Sequence, residues 1–379
     1  MRSILKAVAV LAIACVVFPG PLIAQERTGV VVTGPSVTQV GPVDALAAIA
    51  RTGSVVGKVC TASLAHTNAA QAHIFSQSLQ GFPTNGPSFL SLASGPAAAA
   101  PGSYESFLST SYGGNRDTAA LTVNCACPTG RTSLSIDATY CTEENPTYKY
   151  TIFQDPFLIR VTDNTGPYDL VSLTVDGAIG LSNAVTGSST NPTGPPPIPN
   201  DVEYNACLLP ANRYYDVGRN LYGPVTLLIR QQDAGDDILD SAGFVDDLNV
   251  ICRLEIDLKP GSNPNCTNLQ SKGVVAVAVL SGLGFDPATI DQGTIFFAGA
   301  KPLRCSFEYL NPDLVLDLVC HFSTQDLMVG PLNKIGCAVV DLKAMAMTPP
   351  GPVPVSGSDI LCVPGDYACN NHIPQTPPF

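Results

Sequence analysis

Thirteen cysteines lie along this 379-residue chain, and the way they divide limits the folds open to it. Cys15 falls in an apolar run, Ala7 to Phe18, which follows the basic residues Arg2 and Lys6 and is broken by Pro19-Gly20-Pro21. Leu22-Ile23-Ala24 then places a small residue before Gln25. This is the layout of a secretory signal peptide over 1–24, too short to anchor in a bilayer. A lipoprotein reading at Cys15 is weaker, because Ala12 stands where Leu is preferred and VVFPGPLIA would stay on the mature chain. Without Cys15, twelve cysteines remain, an even number, as expected of a chain oxidised after export. Cys60, Cys125, Cys127, Cys141, Cys207 and Cys252 precede Leu254, whereas Cys266, Cys305, Cys320, Cys337, Cys362 and Cys369 follow it. Six on either side of one boundary predicts two separately stapled domains. Connectivity within each set stays open, although Cys362 and Cys369 bracket VPGDYA closely enough to pair with each other.

The domains are expected to be β-structured. Gly and Pro contribute 33 residues each, which suits turn-dense sheet. Strand-like runs recur between them: Val55 to Leu64, Ala119 to Asn124, Thr132 to Tyr140, Phe157 to Thr162, Leu170 to Val175, Tyr222 to Gln231 and Gly243 to Ile251, with period-two alternation clearest in Phe157 to Thr162 and Leu170 to Val175. Short strands punctuated about every ten residues predict an all-β chain of two disulfide-stapled β-sandwich domains, jelly-roll or Ig-like. Asp44 to Arg51, ending at Gly53, predicts one short helix with a glycine cap. Phe82 to Ser103, with four alanines between prolines, reads as a spacer, and Asn183 to Asn200 as a polar loop or linker. The expected order is signal peptide 1–24, N-terminal segment 25–100, β-sandwich 101–253, a second β-sandwich 254–364 joined without a flexible linker, and a Pro-rich tail 365–379. No hydrophobic C-terminal sorting anchor is expected.

The second domain carries a resemblance. Asp257, Lys259-Pro260-Gly261-Ser262, Pro264-Asn265, Asn268 and Ser271-Lys272-Gly273 precede the apolar run Val274 to Leu280. Asp317-Leu318-Val319, His321-Phe322 and Thr324-Gln325-Asp326 then overlap a second run, Leu314 to Phe322. Together they resemble a module that recurs near the C-terminus of secreted bacterial proteins and has no assigned activity. LLIRQQDAGDDILDSAGFVDDLNVI, just upstream, is similar to the closing hairpin of choice-of-anchor or adhesin-associated jelly rolls.

The chemical features are few. Asp233, Asp236, Asp237 and Asp240 sit on an expected hairpin turn, with Asp246 and Asp247 just beyond. Clustered carboxylates of this kind are a candidate Ca²⁺ site, set against a plain solvated acidic turn. The related modules often carry a second acidic turn, but here it reads Tyr309-Leu310-Asn311-Pro312-Asp313, without the leading acid and the glycine. Asp317 and His321, four apart on one strand, read as a structural hydrogen bond rather than an acid–base pair. Cys125-x-Cys127 reads as disulfide rather than zinc, since His66 and His73 are not at finger spacing. Tyr204, Tyr214, Tyr215 and Tyr222 are available to stack on a ligand although Trp is absent, and Asn265-Cys266-Thr267 is a formal glycosylation sequon. No nucleophile elbow, zinc-helix or phosphate-loop motif is present.

Net charge −12 argues against nucleic acid or anionic membrane as partners. The expectation is a secreted, non-enzymatic surface or matrix protein acting in adhesion, recognition or scaffolding, with a glycan or cell-surface protein as partner and calcium as a structural ion. The alternatives are a carbohydrate-binding module and a two-acid glycosidase.

Overall fold

Burial alternates strictly along β11 (Val225–Gln232): Val225, Leu227, Ile229 and Gln231 point inward and their neighbours do not. This is the pattern of a strand with one face on a core. The computed structural model describes residues 39–100, 117–144, 150–152, 154–176, 204, 206–208, 213–234, 240–282, 284–311, 314–329, 336–364 and 369. The signal-peptide segment, the 183–200 excursion and nearly all of the tail lie outside them.

Three sheets account for the strands. The first, antiparallel throughout, orders β1 (Cys60–His66), β4 (Thr118–Cys125), β11, β6 (Phe157–Asp163) and β7 (Gly166–Leu173). The second runs β10 (Leu221–Tyr222), β5 (Arg131–Thr142), β12 (Ser241–Arg253), β19 (Gly351–Cys362), β18 (Cys337–Thr348) and β15 (Ile290–Phe297). The pair β2 (Ala72–Phe75) and β3 (Phe89–Ala93) joins it on β12, and β8 (Ala206–Cys207) and β9 (Tyr214–Asp216) join on β5. The third orders β13 (Ile256–Leu258), β14 (Val274–Val279), β17 (Asp317–Ser323) and β16 (Arg304–Glu308).

The first sheet packs on the β5–β12–β3 part of the second, so closely that a Cβ on Gly243 of β12 would lie 2.1 Å from the Phe157 ring of β6. The third packs on β15, β18 and β19, where the rings of Phe297 and Phe322 stand 5.3 Å apart. These are two sandwiches, and the chain is all-β.

The sandwiches share the second sheet. After Ala242–Val245 has paired with β3, the far end of β12 pairs in parallel with β19, Cys252 opposite Val355 and Arg253 opposite Ser356. One apolar cluster continues through this seam, from Ile136 and Ile229 past Cys252 and Leu254 to Val355 and Leu342.

Six disulfides staple the halves separately: Cys60–Cys125, Cys127–Cys252 and Cys141–Cys207 before Leu254, and Cys266–Cys369, Cys305–Cys320 and Cys337–Cys362 after it. Cys362 and Cys369 therefore do not pair with each other. The β18–β19 register sets Cys337 directly opposite Cys362, which leaves Cys369 to reach Cys266.

Four local expectations are corrected. The spacer expected over 82–103 contains β3, buried at every position, together with Phe82, which is also fully buried. A strand covered on both faces shows no alternation, and flanking Ala and Pro hide it further. Val55 to Val59 opens with one helical turn, α2 (Val56–Val59), instead of strand. Val55 and Val56 are both buried and join the main apolar cluster from this turn. Helix α1 (Pro42–Ile49) ends at an extended Ala50 bridged to Leu248, so Gly53, at φ 81°, serves the following turn rather than the helix cap. Finally, Leu314 to Leu316 stay outside β17 and are exposed, with Leu314 at φ 62°.

Candidate functional site

The outward face of the shared sheet carries the site. Alternation along β5 sends Leu134 and Ile136 to the core and sets Ser133 and Ser135 on the other face. Strand registers then build rows across the sheet: Asp216, Ser135 and Asn249 in one, Tyr214, Asp137 and Asp246 in the next. Between Asp246 and Asn249 the register slips by a bulge, with Asp247 at φ 54°. There Arg51 meets it, the Nε donating to Asp247 Oδ1 at 2.8 Å and a second guanidinium nitrogen pairing with Oδ2. Asp246 Oδ2 accepts from the backbone of Thr84 at 2.6 Å and of Asn85 at 2.8 Å, and burial pushes its carboxyl above the usual range.

A trough lies over these rows. A hollow of about 240 Å³ is lined by Tyr214, Asp216, Arg219, Asn249, Arg253 and Arg51. A second, of about 350 Å³, shares Asn249 and Ile251 with the first and crosses the seam to Ser356, Pro354, Met345 and Lys343. The groups in it are fixed from below. Arg219 donates to Asp163 Oδ2 at 3.0 Å, and Asp163 also accepts from Tyr222 N and Thr165. Burial pushes Asp163 up, but these hydrogen bonds outweigh it and hold the carboxyl well below its usual value. Arg253 Nε donates to Ser133 Oγ at 2.9 Å, and the Tyr214 hydroxyl to Asp216 at 3.2 Å. Tyr214 remains 59% exposed. Of the other tyrosines, Tyr204 is buried against Phe244, Tyr215 is half-buried, and Tyr222 lies under the Arg131 guanidinium.

A second constellation sits at one rim of the first sandwich. Glu143 and Glu144 follow β5, Asp155 precedes β6, Asp233 follows β11 and Asp240 precedes β12, and all five are buried. Glu144 accepts from Asp155 N at 3.0 Å, Ser94 Oγ donates to Asp155 Oδ2 at 2.9 Å, and Glu143 accepts from Asp240 N at 3.5 Å. Burial first, then the charges of Glu144 and Asp233, push the Asp155 carboxyl well above its usual range.

The acidic turn read from the sequence is thus divided. Asp233 and Asp240 belong to the rim, Asp246 and Asp247 are buried in β12 beneath the trough without lining either hollow and are held by Thr84, Asn85 and Arg51, and Asp236 and Asp237 lie outside the described residues. Among the described residues, no three His, Cys, Asp or Glu side chains converge as ligands for a metal ion. Glu144 and Asp155 were not placed by sequence, nor were the arginines of the trough. Their signal is positional: in antiparallel strands, an acid after one strand and an acid before the next share a rim. Asp317 is buried and accepts from Ser281 N at 2.8 Å and Leu310 N at 3.2 Å, a structural role. Asn265 of the sequon is also buried, its Nδ2 donating to Asp359 at 3.1 Å.

No protein-family model matches the chain, and no curated protein matches its sequence. Among solved structures, it is similar to a carbohydrate-binding module, TmCBM61, in complex with β-1,4-galactotriose. That likeness has 10% identity over 50% of this chain and 87% of that one, at a TM-score of 0.25. It is also similar to the adhesin domain of Epf from Streptococcus pyogenes, at 12% identity over 83% of this chain and 97% of that one, with a TM-score of 0.22. Overlaps this low establish neither ligand nor activity.

Proposed function

We propose that this is a secreted, non-enzymatic recognition protein that adheres to a glycan through the trough on its shared sheet. The observation that carries the reading is Tyr214, exposed on a rigid sheet face beside Asp216, Arg219, Asn249 and Arg253. An open aromatic face stacks on the apolar face of a sugar ring, while planar amide and guanidinium groups bond its hydroxyls. Asp216 is the one carboxylate among the described residues lining the trough, so it supports binding rather than two-acid hydrolysis, which needs a facing pair. Six disulfides fit a chain that folds in an oxidising compartment. A glycan array tests the reading. Binding above background that Tyr214→Ala abolishes is the expected result, and binding unaffected by Tyr214→Ala would overturn it.

A structural calcium ion is a second proposal, assigned to the rim rather than the trough. The five buried carboxylates of the rim supply the kind of oxygen ligands such an ion takes, provided they draw together on binding, since as they stand no three of them converge. Millimolar Ca²⁺ should raise the melting temperature, and no shift removes the ion from the account.

A further inference from the structure

The chain is acidic, with 31 Asp and Glu against 19 Lys and Arg, yet the described residues lining the trough reverse that balance. They include four cations, Arg51, Arg219, Arg253 and Lys343, and one anion, Asp216. Two of the cations are committed, Arg51 to Asp247 and Arg219 to Asp163. The other two are not: among the described residues, neither Arg253 nor Lys343 takes part in an ion pair, and Arg253 uses only its Nε on Ser133. They lie on either side of the β12–β19 seam, Arg253 at the end of the first sandwich and Lys343 on β18 of the second. Ser356 stands between them, opposite Arg253 in one register and opposite Lys343 in the other.

From β9 to β15 the face crosses five strand intervals, roughly 24 Å at ~4.8 Å each. That length holds a chain of several sugar rings. The floor changes along it, from Tyr214 and polar groups at one end, past Ile251, to Pro354 and Met345 beyond the seam. An extended peptide would dock by adding a strand at a free sheet edge, but this is a sheet face whose inner strands, β5, β12, β19 and β18, are already paired on both sides. It offers side chains and not backbone.

We infer that the trough takes an acidic polysaccharide, a chain bearing carboxylate or sulfate groups, with Tyr214 stacking on one ring and Arg253 and Lys343 holding acidic groups on rings to either side of the seam. The inference rests on the glycan reading of the trough and specifies its ligand class. Binding should therefore need both sandwiches and weaken as salt is added.

The test uses the full chain and three probes in calorimetry: a linear hexagalacturonate, its dimer, and the neutral hexagalactan. The hexauronate should bind about tenfold more tightly than either of the others. Lys343→Gln, an exposed change on β18, should erase the gain from dimer to hexamer while leaving the melting temperature unchanged. Arg253→Gln should weaken both uronides, and Tyr214→Ala should weaken all three sugars. Equal affinity for the neutral and acidic hexamers overturns the charge assignment but leaves the glycan reading standing. An unchanged hexamer affinity in Lys343→Gln overturns the extension across the seam. Tighter capture of polyglutamate than of hexauronate overturns the saccharide in favour of an acidic peptide. If Tyr214→Ala changes nothing, the glycan reading fails with it.

Discussion

Cys252 stands opposite Val355 where β12 and β19 run parallel, and the same cysteine is bonded to Cys127, so one residue ties the seam between the sandwiches to the turn between β4 and β5. Cys127–Cys252 closes 125 residues, and Cys305–Cys320 closes 15. On loop-closure entropy the first is worth about 5 kcal/mol and the second about 3. Replacing each pair by serine should lower stability in that order in denaturant titrations, and equal losses would contradict the ranking.

The seam has a second dependence. A Cβ on Gly357 would lie 2.7 Å from the Leu254 carbonyl oxygen and 2.8 Å from Ile256 Cγ2. Gly357→Ala should cost about 1–3 kcal/mol or part the sandwiches, since backbone cannot yield as a flexible side chain can. Calorimetry should then show a lowered transition or two separate ones.

Asp247 combines a positive φ with the Arg51 ion pair. Asn tolerates that backbone region and Ala does not. Asp247→Ala should therefore lose about 1 kcal/mol more than Asp247→Asn, a difference readable as a shift in denaturation midpoint. Equal losses would assign the whole effect to the ion pair.

Acidity should act in opposite senses at Asp155 and Asp163. Asp155 is raised, so the folded state holds its proton more tightly than the unfolded chain; stability falls as pH rises from the ordinary carboxylate range towards its folded value. Asp163 is lowered, so its contribution is present above the ordinary range and lost as pH falls below it. In melting curves against pH, Asp155→Asn should remove part of the gain seen on mild acidification. Asp163→Asn should destabilise at neutral pH by about 1–3 kcal/mol and loosen Arg219 in the trough.

Much of this architecture is legible in the residues. Alternation locates β4, β6 and β11 nearly to their ends, because each has one face on a core and a less buried one opposite; β5 and β12 also read as strands, although β12 is buried at its first eight positions. The same logic missed β3, which has no solvent face to alternate with. It also missed α2, whose single turn is set by where Val55 and Val56 are buried. The site was the least legible part. Six aspartates close in sequence suggest one cluster, but β12 carries Asp246 and Asp247, its sixth and seventh residues, away from the rim where Asp240 lies. The trough is assembled by register across strands far apart in the chain, and no local pattern in Arg51, Arg253 or Lys343 reports that.

The order of the disulfides has a mechanical consequence. Cys60–Cys125, Cys127–Cys252 and Cys266–Cys369 follow one another along the chain, and the other three are nested inside the last two. Loops of 65, 125 and 103 residues withhold about 1,000 Å of contour at roughly 3.5 Å per residue. Between them only Ala126 and residues 253–265 can pay out under tension. A molecule pulled by its two ends while gripping a fixed polymer would thus transmit the load instead of unravelling.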